Sequence, residues 1–340
     1  MSGKKNRIII VALVVTACII TSAVIALLGS KPFSSGQTVD IKSEEQGQTR
    51  STARVENPYV KKYLILGGDE NGLTDTIIVA FCNYKTKEVK LLSIPRDTYV
   101  GGDIPTGKIN AVYSHAKYPY PERHDIRNLA WYLKTQLGVE PDGYVKISFK
   151  GFRDAVNAMG GIPITLPKSL YDTRSQKVVL EAGEHVLDGE MAELFVRFRS
   201  GYILGDLGRV EAQKRFMAAA MKRAGELSMS DITALLSSDL MSEVESDLSA
   251  GQLLDLAKFL HNLSLENVSD YTLPGVQFDS SEGLACYAVD KKQLLTLLNT
   301  EFYGESEQLT LADLGAPEPE GVNYEETYQS KKNNFADLIG

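Results

Sequence analysis

The sequence predicts an α/β fold, a central mixed β-sheet flanked by helices and preceded by one transmembrane helix. Three observations carry this reading: an uncharged apolar run near the N-terminus, three short β-branched runs between residues 63 and 94, and helix-period patterns further along. With 340 residues, 43% apolar and 24% charged, the chain has material for a sizeable core. Its formal net charge of −8 argues against a nucleic-acid surface along its length, because duplex binding is carried mainly by Lys and Arg neutralising phosphates. Any anion site must be local.

Lys4, Lys5 and Arg7 precede an uncharged run from Ile8 to Leu28. As a helix, that run is long enough to span roughly 30 Å of hydrocarbon. It exceeds the roughly 7 to 15 apolar residues of a cleaved signal peptide, and a positive flank belongs inside. Residues 1–28 therefore read as a cytoplasmic stub and a retained single-span anchor in the cell membrane, which puts the C-terminal domain outside the cytoplasm. Residues 29–57 are polar and rich in Ser, Gln, Glu and Lys, the composition of a flexible tether. The folded domain is expected over 58–300. Residues 301–340 are acidic, carry PEPEG at Pro317–Gly321, and are expected to form a mobile tail.

Within the folded part, Tyr63–Gly67 (YLILG), Thr76–Cys82 (TIIVAFC) and Val89–Ile94 (VKLLSI) are short apolar runs of the kind found in strands covered on both faces. Short connections favour antiparallel pairing, so the chain runs up, down and up. Asp69 at the end of the first strand, Asp75 at the start of the second, and Arg96 with Asp97 beyond the third then reach one edge of the sheet. Pro95 ends the third strand, since it has no N–H for the ladder, and it fixes the backbone just before Arg96.

A second basic cluster follows. In Phe195–Arg199 (FVRFR), period-two alternation predicts a strand with Arg197 and Arg199 on one face. Asp206 is placed as the N-cap of a helix whose first turns carry Arg209 and Gln213 four residues apart on one face. The N-terminal end of such a helix, flanked by an arginine and an amide, suits an anion. One exposed arginine means little, but four beside strand ends and a helix start suit a polyanionic ligand gripped by planar forks. Later helical patterns fall in Ser230–Ser264 and Val289–Leu298. Of the three cysteines, Cys18 lies in the apolar run. Cys82 and Cys286 either pair or remain buried thiols, and no zinc spacing is present.

Taken in order, GGD…TDTIIVAF, LLSIPRDTYV, KINAVYSHA, GFRDAVNAMGGIPI, LEAGEHVLDGEMAELFVRFRS and GDLGRVEAQKRF resemble the LytR-CpsA-Psr family of bacterial cell-wall glycopolymer transferases. The likeness covers about Tyr63 to Ala224, with weaker features to near Asn299. It implies an α-β-α core. It also implies transfer of a glycopolymer, such as teichoic acid or capsule, from an undecaprenyl pyrophosphate carrier to a muramic-acid 6-hydroxyl of peptidoglycan, assisted by Mg²⁺. Carried over, Arg96, Arg197, Arg199 and Arg209 would hold the pyrophosphate with support from Gln213. Asp69 and Asp75 would serve the magnesium or the acceptor, and Lys108 and Asn110 would line the site. Asp75 is the favoured base, with Asp69 or Asp206 as rivals, and Asp97 and Asp206 are placed near the substrate. Phe149, Phe152, Val156, Met159, Val196, Phe198, Phe216 and Met217 are either walls of a polyprenyl channel or plain core. The chain departs from the family pattern at Leu73 and Ala212, where many members carry arginine, which removes two anion contacts. The readings that compete with transfer are a polyprenyl pyrophosphate hydrolase or lipid-binding protein, and a membrane-bound transcription attenuator. Against the last, too few residues precede the anchor to hold a helix-turn-helix.

Overall fold

The computed structural model describes residues 57–68, 73–101, 104–117, 119–121, 124–172, 175–198, 206–227, 243–261, 263–304, 308–328, 330 and 332–339. Among these no helix is long and apolar enough to cross a membrane. The anchor expected at 8–28 and the tether at 29–57 lie outside the described residues, apart from Asn57.

The fold is mixed α/β. The strands β1 (Val60–Gly68), β2 (Thr74–Asn83), β3 (Glu88–Ser93), β4 (Gly143–Ser148), β9 (Val244–Ser246), β10 (Val268–Thr272) and β13 (Asn333–Asn334) form one sheet in the order β13-β10-β3-β2-β1-β4-β9. Three two-stranded ribbons complete the strands: β5 (Ile162–Leu166) with β8 (Gly183–Leu187), β6 (Leu170–Asp172) with β7 (Lys177–Leu180), and β11 (Gly275–Asp279) with β12 (Ala285–Val289). By internal contacts the chain divides into two compact units. Of the described residues, one contains those of Val145–Asp270 and Asn333–Gly340, and the other contains those up to Tyr144 together with those of Tyr271–Lys332.

In the second of these units, β1, β2 and β3 pair antiparallel, Tyr63 opposite Ala80 and Ala80 opposite Leu91, as the apolar runs predict. The turn between β2 and β3 is set by Asn83, whose side-chain oxygen accepts from the amides of Lys85 and Thr86 at 3.0 and 3.1 Å, a local bond that competes with strand continuation. Helix α1 (Ile126–Leu137) starts at Asp125, which caps the Arg127 amide, and stops at Gly138 with φ of 69°, the left-handed conformation glycine adopts without penalty. Leu129, Leu133 and Leu137 on α1 pack with Leu64, Leu66, Val79 and Leu92 in one core.

The expectation of a structureless tail after residue 301 is corrected here. Leu309, Leu314 and Ala316 are buried in that same core, and the amides of Gly315 and Ala316 bond to the carbonyls of Thr135 and Gln136. In the other unit, Phe335 is fully buried and β13 pairs with β10. A few apolar residues in an acidic stretch are enough to order it when backbone partners from a distant segment are available.

In the unit of Val145–Asp270, helix α2 (Phe149–Ala158) is capped by Ser148 and helix α3 (Gly189–Arg197) by Asp188. Helix α4 (Asp206–Gly225) follows in the segment where the sequence predicts a helix, and α5 (Ala250–His261) lies in the later helical pattern. Helix α6 (Lys291–Leu297), capped by Asp290, belongs to the unit that holds Tyr271–Lys332. The strand expected over Phe195–Arg199 is not found. Arg197 is the last residue of α3, and Ala192 and Phe195 on that helix are buried. Glu, Met, Ala and Leu in GEMAEL are strong helix formers, and five residues of alternation are too short a window to outweigh a capped helix. Cys82 and Cys286 are free thiols, both buried. Burial pushes the Cys82 thiol up and does the same, as the leading cause, at Cys286.

Candidate active site

At the edge of the sheet predicted to gather charge, Asp75, Arg96 and Asp97 come together. Gly67 pairs with Thr76 but Gly68 pairs with Thr74, so Asp75 is the extra residue of a β-bulge at the start of β2. Bulges re-aim side chains at strand ends. A Cβ on Gly68 would lie 2.5 Å from the Leu73 carbonyl oxygen, so the approach that forms this bulge needs glycine.

Asp75 accepts a hydrogen bond from the Arg96 guanidinium. On its other side Arg96 Nε lies 3.9 Å from Asp97 Oδ1, and Lys108 Nζ donates to that same Asp97 oxygen at 3.0 Å. The four side chains are 10 to 20% exposed, partly withdrawn from water and still reachable. The backbone beneath them is tied down. The Thr98 amide and hydroxyl both bond to the Pro95 carbonyl, the Asn110 amide bonds to the Arg96 carbonyl at 3.2 Å, and the Tyr287 amide bonds to the Asp97 carbonyl at 2.9 Å. The Thr74 hydroxyl reaches the Asn110 carbonyl at 3.3 Å. Proline ends β3, a turn follows, and Arg96 emerges from a fixed point. Lys108 comes to it by its side chain, through Asp97, and Asn110 by its backbone.

In the other unit the predicted cluster is only partly visible. The Arg197 guanidinium, 46% exposed, donates to Glu193 at 2.5 Å and stacks 4.2 Å from the centre of the Phe149 ring. Gln213 on α4 donates from its amide to the Val196 carbonyl at 3.2 Å, bracing the last turn of α3. Asp69 and Arg199, and the side chains of Asp206 and Arg209, lie outside the described residues. Of the proposed channel residues, Val156, Met159 and Phe216 are buried, and the rings of Phe152 and Phe216 pack at 5.4 Å.

Compared with known proteins, residues 31–302 match the model of the LytR_cpsA_psr family. The chain belongs to the LytR-CpsA-Psr family. It is 26% identical over 255 residues, 73% of this chain and 80% of the other, to a protein of Bacillus mycoides named polyisoprenyl-teichoic acid–peptidoglycan teichoic acid transferase TagU. It is 35% identical over 169 residues to the TagV transferase of Bacillus subtilis, covering 47% of this chain and 41% of that one. The crystal structure of B. subtilis TagV superposes with a TM-score of 0.57 at 25% identity, over 71% of this chain and 95% of that one.

Among the described residues no group of three or more His, Cys, Asp and Glu side chains is placed to hold an ion. A Mg²⁺ ion, however, retains water and takes substrate phosphate oxygens, so one or two carboxylates suffice. Asp75, which faces Arg96, and Asp97, which faces both Lys108 and Arg96, are the two carboxylates described beside this guanidinium.

Sequence reading missed Arg153 and Glu193. Arg153 donates to Glu193 and lies 3.2 Å from Glu190, so Glu193 is shared between two arginines. The spacing Phe149–Arg153 and Glu193–Arg197, four residues apart in each case, is the local sign of it, but it has meaning only once both segments are read as helices.

Proposed function

We propose that this protein transfers a glycopolymer from an undecaprenyl pyrophosphate carrier to the muramic-acid 6-hydroxyl of peptidoglycan, at the outer face of the membrane in which residues 8–28 anchor it. The observation that carries the proposal is the setting of Arg96, a guanidinium on an immobilised turn between Asp75 and Asp97 with Lys108 alongside. The names of the curated relatives, teichoic acid transferases, support the substrate class.

In this reading Arg96 binds the donor pyrophosphate; Arg197, Arg199 and Arg209 remain the phosphate contacts that the family resemblance implies, and Gln213 holds the end of α3. Fixed guanidiniums stabilise charge developing on a leaving phosphate without reorganising water. The acceptor hydroxyl oxygen attacks the phosphorus that bears the glycopolymer. A new O–P bond forms, the bridging P–O bond of the pyrophosphate breaks, and the carrier leaves as polyprenyl phosphate. An incoming phosphate competes with Asp75 for Arg96, and the carboxylate so displaced takes the proton of the acceptor hydroxyl. Asp69, or Asp75 where another carboxylate is the base, would hold Mg²⁺, which when bound neutralises phosphate charge as a Lewis acid. Lys108 keeps Asp97 engaged so that Asp97 does not compete for Arg96.

The test is incubation of the protein with a lipid pyrophosphate-linked saccharide and Mg²⁺, with and without peptidoglycan oligomers. Saccharide attached to peptidoglycan is expected. Saccharide merely released, at the same rate with or without the acceptor, would make the protein a hydrolase.

A further inference from the structure

Helices α2 and α3 are joined by three matched rungs. The Asn157 side-chain oxygen accepts from the Gly189 amide at 2.8 Å, Arg153 donates to Glu193, and Phe149 lies under Arg197. On each helix successive members are four residues apart and so share one face. As the chain ascends α2 it descends α3, so the pair is antiparallel and in register.

That register is set by backbone contact. A Cβ on Gly189 would lie 2.5 Å from the Arg153 carbonyl oxygen and 2.8 Å from its Cα, so the helices touch where one has no side chain. The Glu193 carboxylate is only 12% exposed and is bonded on both oxygens, one to Arg197 and one to Arg153, while Arg153 also reaches Glu190. An ordinary exposed pair four residues apart holds an arginine weakly, because both partners are mobile. Here the acidic partner is immobile.

We propose that Glu193 is the positioning residue of Arg197, fixing its guanidinium against Phe149 so that it meets the donor phosphate already ordered. This inference rests on the reading of Arg197 as a phosphate contact. A free arginine must surrender rotamer freedom to grip a phosphate, and ordering it beforehand removes that cost from binding. Arg153 keeps Glu193 in place, and Phe149 supplies the flat face on which the guanidinium lies.

The experiment is calorimetric titration of the full chain with farnesyl pyrophosphate, comparing wild type, Arg197→Ala, Glu193→Ala and the double variant, with circular dichroism to verify folding. Arg197→Ala should weaken binding about tenfold and Glu193→Ala about three- to tenfold. The double variant should bind no more weakly than Arg197→Ala alone, because the effect of Glu193 passes through Arg197. A carboxylate that only stabilised the fold would not lose its effect in the Arg197→Ala background. If Glu193→Ala fails to fold, Glu193→Gln keeps the volume and an acceptor oxygen and should show a smaller weakening that also vanishes with Arg197→Ala. Unchanged or tighter binding by the Glu193 variants, or additive losses, would overturn the positioning role while leaving Arg197 as a contact. Unchanged binding by Arg197→Ala would overturn the reading beneath it as well.

Discussion

Lys214 on α4 meets Asp270 on β10 at 2.7 Å, with 1% and 0% of their side chains exposed. A complete charge pair is thus enclosed in the unit of Val145–Asp270, next in sequence to Gln213, and it ties the helix bearing the second basic cluster to the sheet. Removing one partner of such a pair costs far more than replacing both, because the remaining charge was desolvated in expectation of its counter-ion. Lys214→Ala should lower stability by about 3 to 5 kcal/mol, and Lys214→Met combined with Asp270→Leu by clearly less. Urea unfolding of the single and double variants measures the difference.

The close contact at Gly189 makes a second prediction. Alanine is normally the better helix residue, by roughly 0.5 to 1 kcal/mol, but here its Cβ would meet the Arg153 backbone. Gly189→Ala should therefore destabilise by about 1 to 3 kcal/mol, the usual cost of overpacking, and thermal melting would detect it. A stabilised variant would show that α2 and α3 can separate freely.

At the site itself, Asp75→Asn keeps the size and hydrogen-bonding shape of the side chain but loses the charge and the basicity. Transfer to peptidoglycan should fall at least a hundredfold, within the usual range for losing a general base, with the circular dichroism spectrum unchanged. Normal turnover at saturating Mg²⁺ would move the base to Asp69 or Asp206.

The first three strands and the charged edge were legible in the sequence because the signals are local. Runs such as TIIVAFC read as covered strands without reference to anything distant, and an up-down-up path carries Asp75 and Arg96 to one end. The bulge at Asp75 was not legible, since it depends on how close Gly68 comes to Leu73. Alternation in FVRFR pointed to a strand, but the Asp188 cap and the buried residues Ala192 and Phe195 belong to a helix. The ordering of Leu309 to Ala316 rests on bonds from Gly315 and Ala316 to the carbonyls of Thr135 and Gln136, 180 positions earlier in the chain, and no local pattern encodes it. Likewise the i,i+4 spacing of Glu193 and Arg197 is visible, while its pairing with Arg153 and Phe149 is a property of two helices in register.

Whether Arg96 grips the donor pyrophosphate is measured by titrating the full chain with a short-chain polyprenyl pyrophosphate, wild type against Arg96→Ala and Arg96→Lys. A charge-assisted, often two-pronged contact contributes about 1.5 to 3 kcal/mol, so Arg96→Ala should bind roughly ten- to a hundredfold more weakly. Arg96→Lys keeps the charge without the planar fork and should fall between the two. If Arg96 only partners Asp75 and Asp97 in a surface network, Arg96→Ala would bind the pyrophosphate as the wild type does, and equal affinities would show that Arg96 does not hold the phosphate.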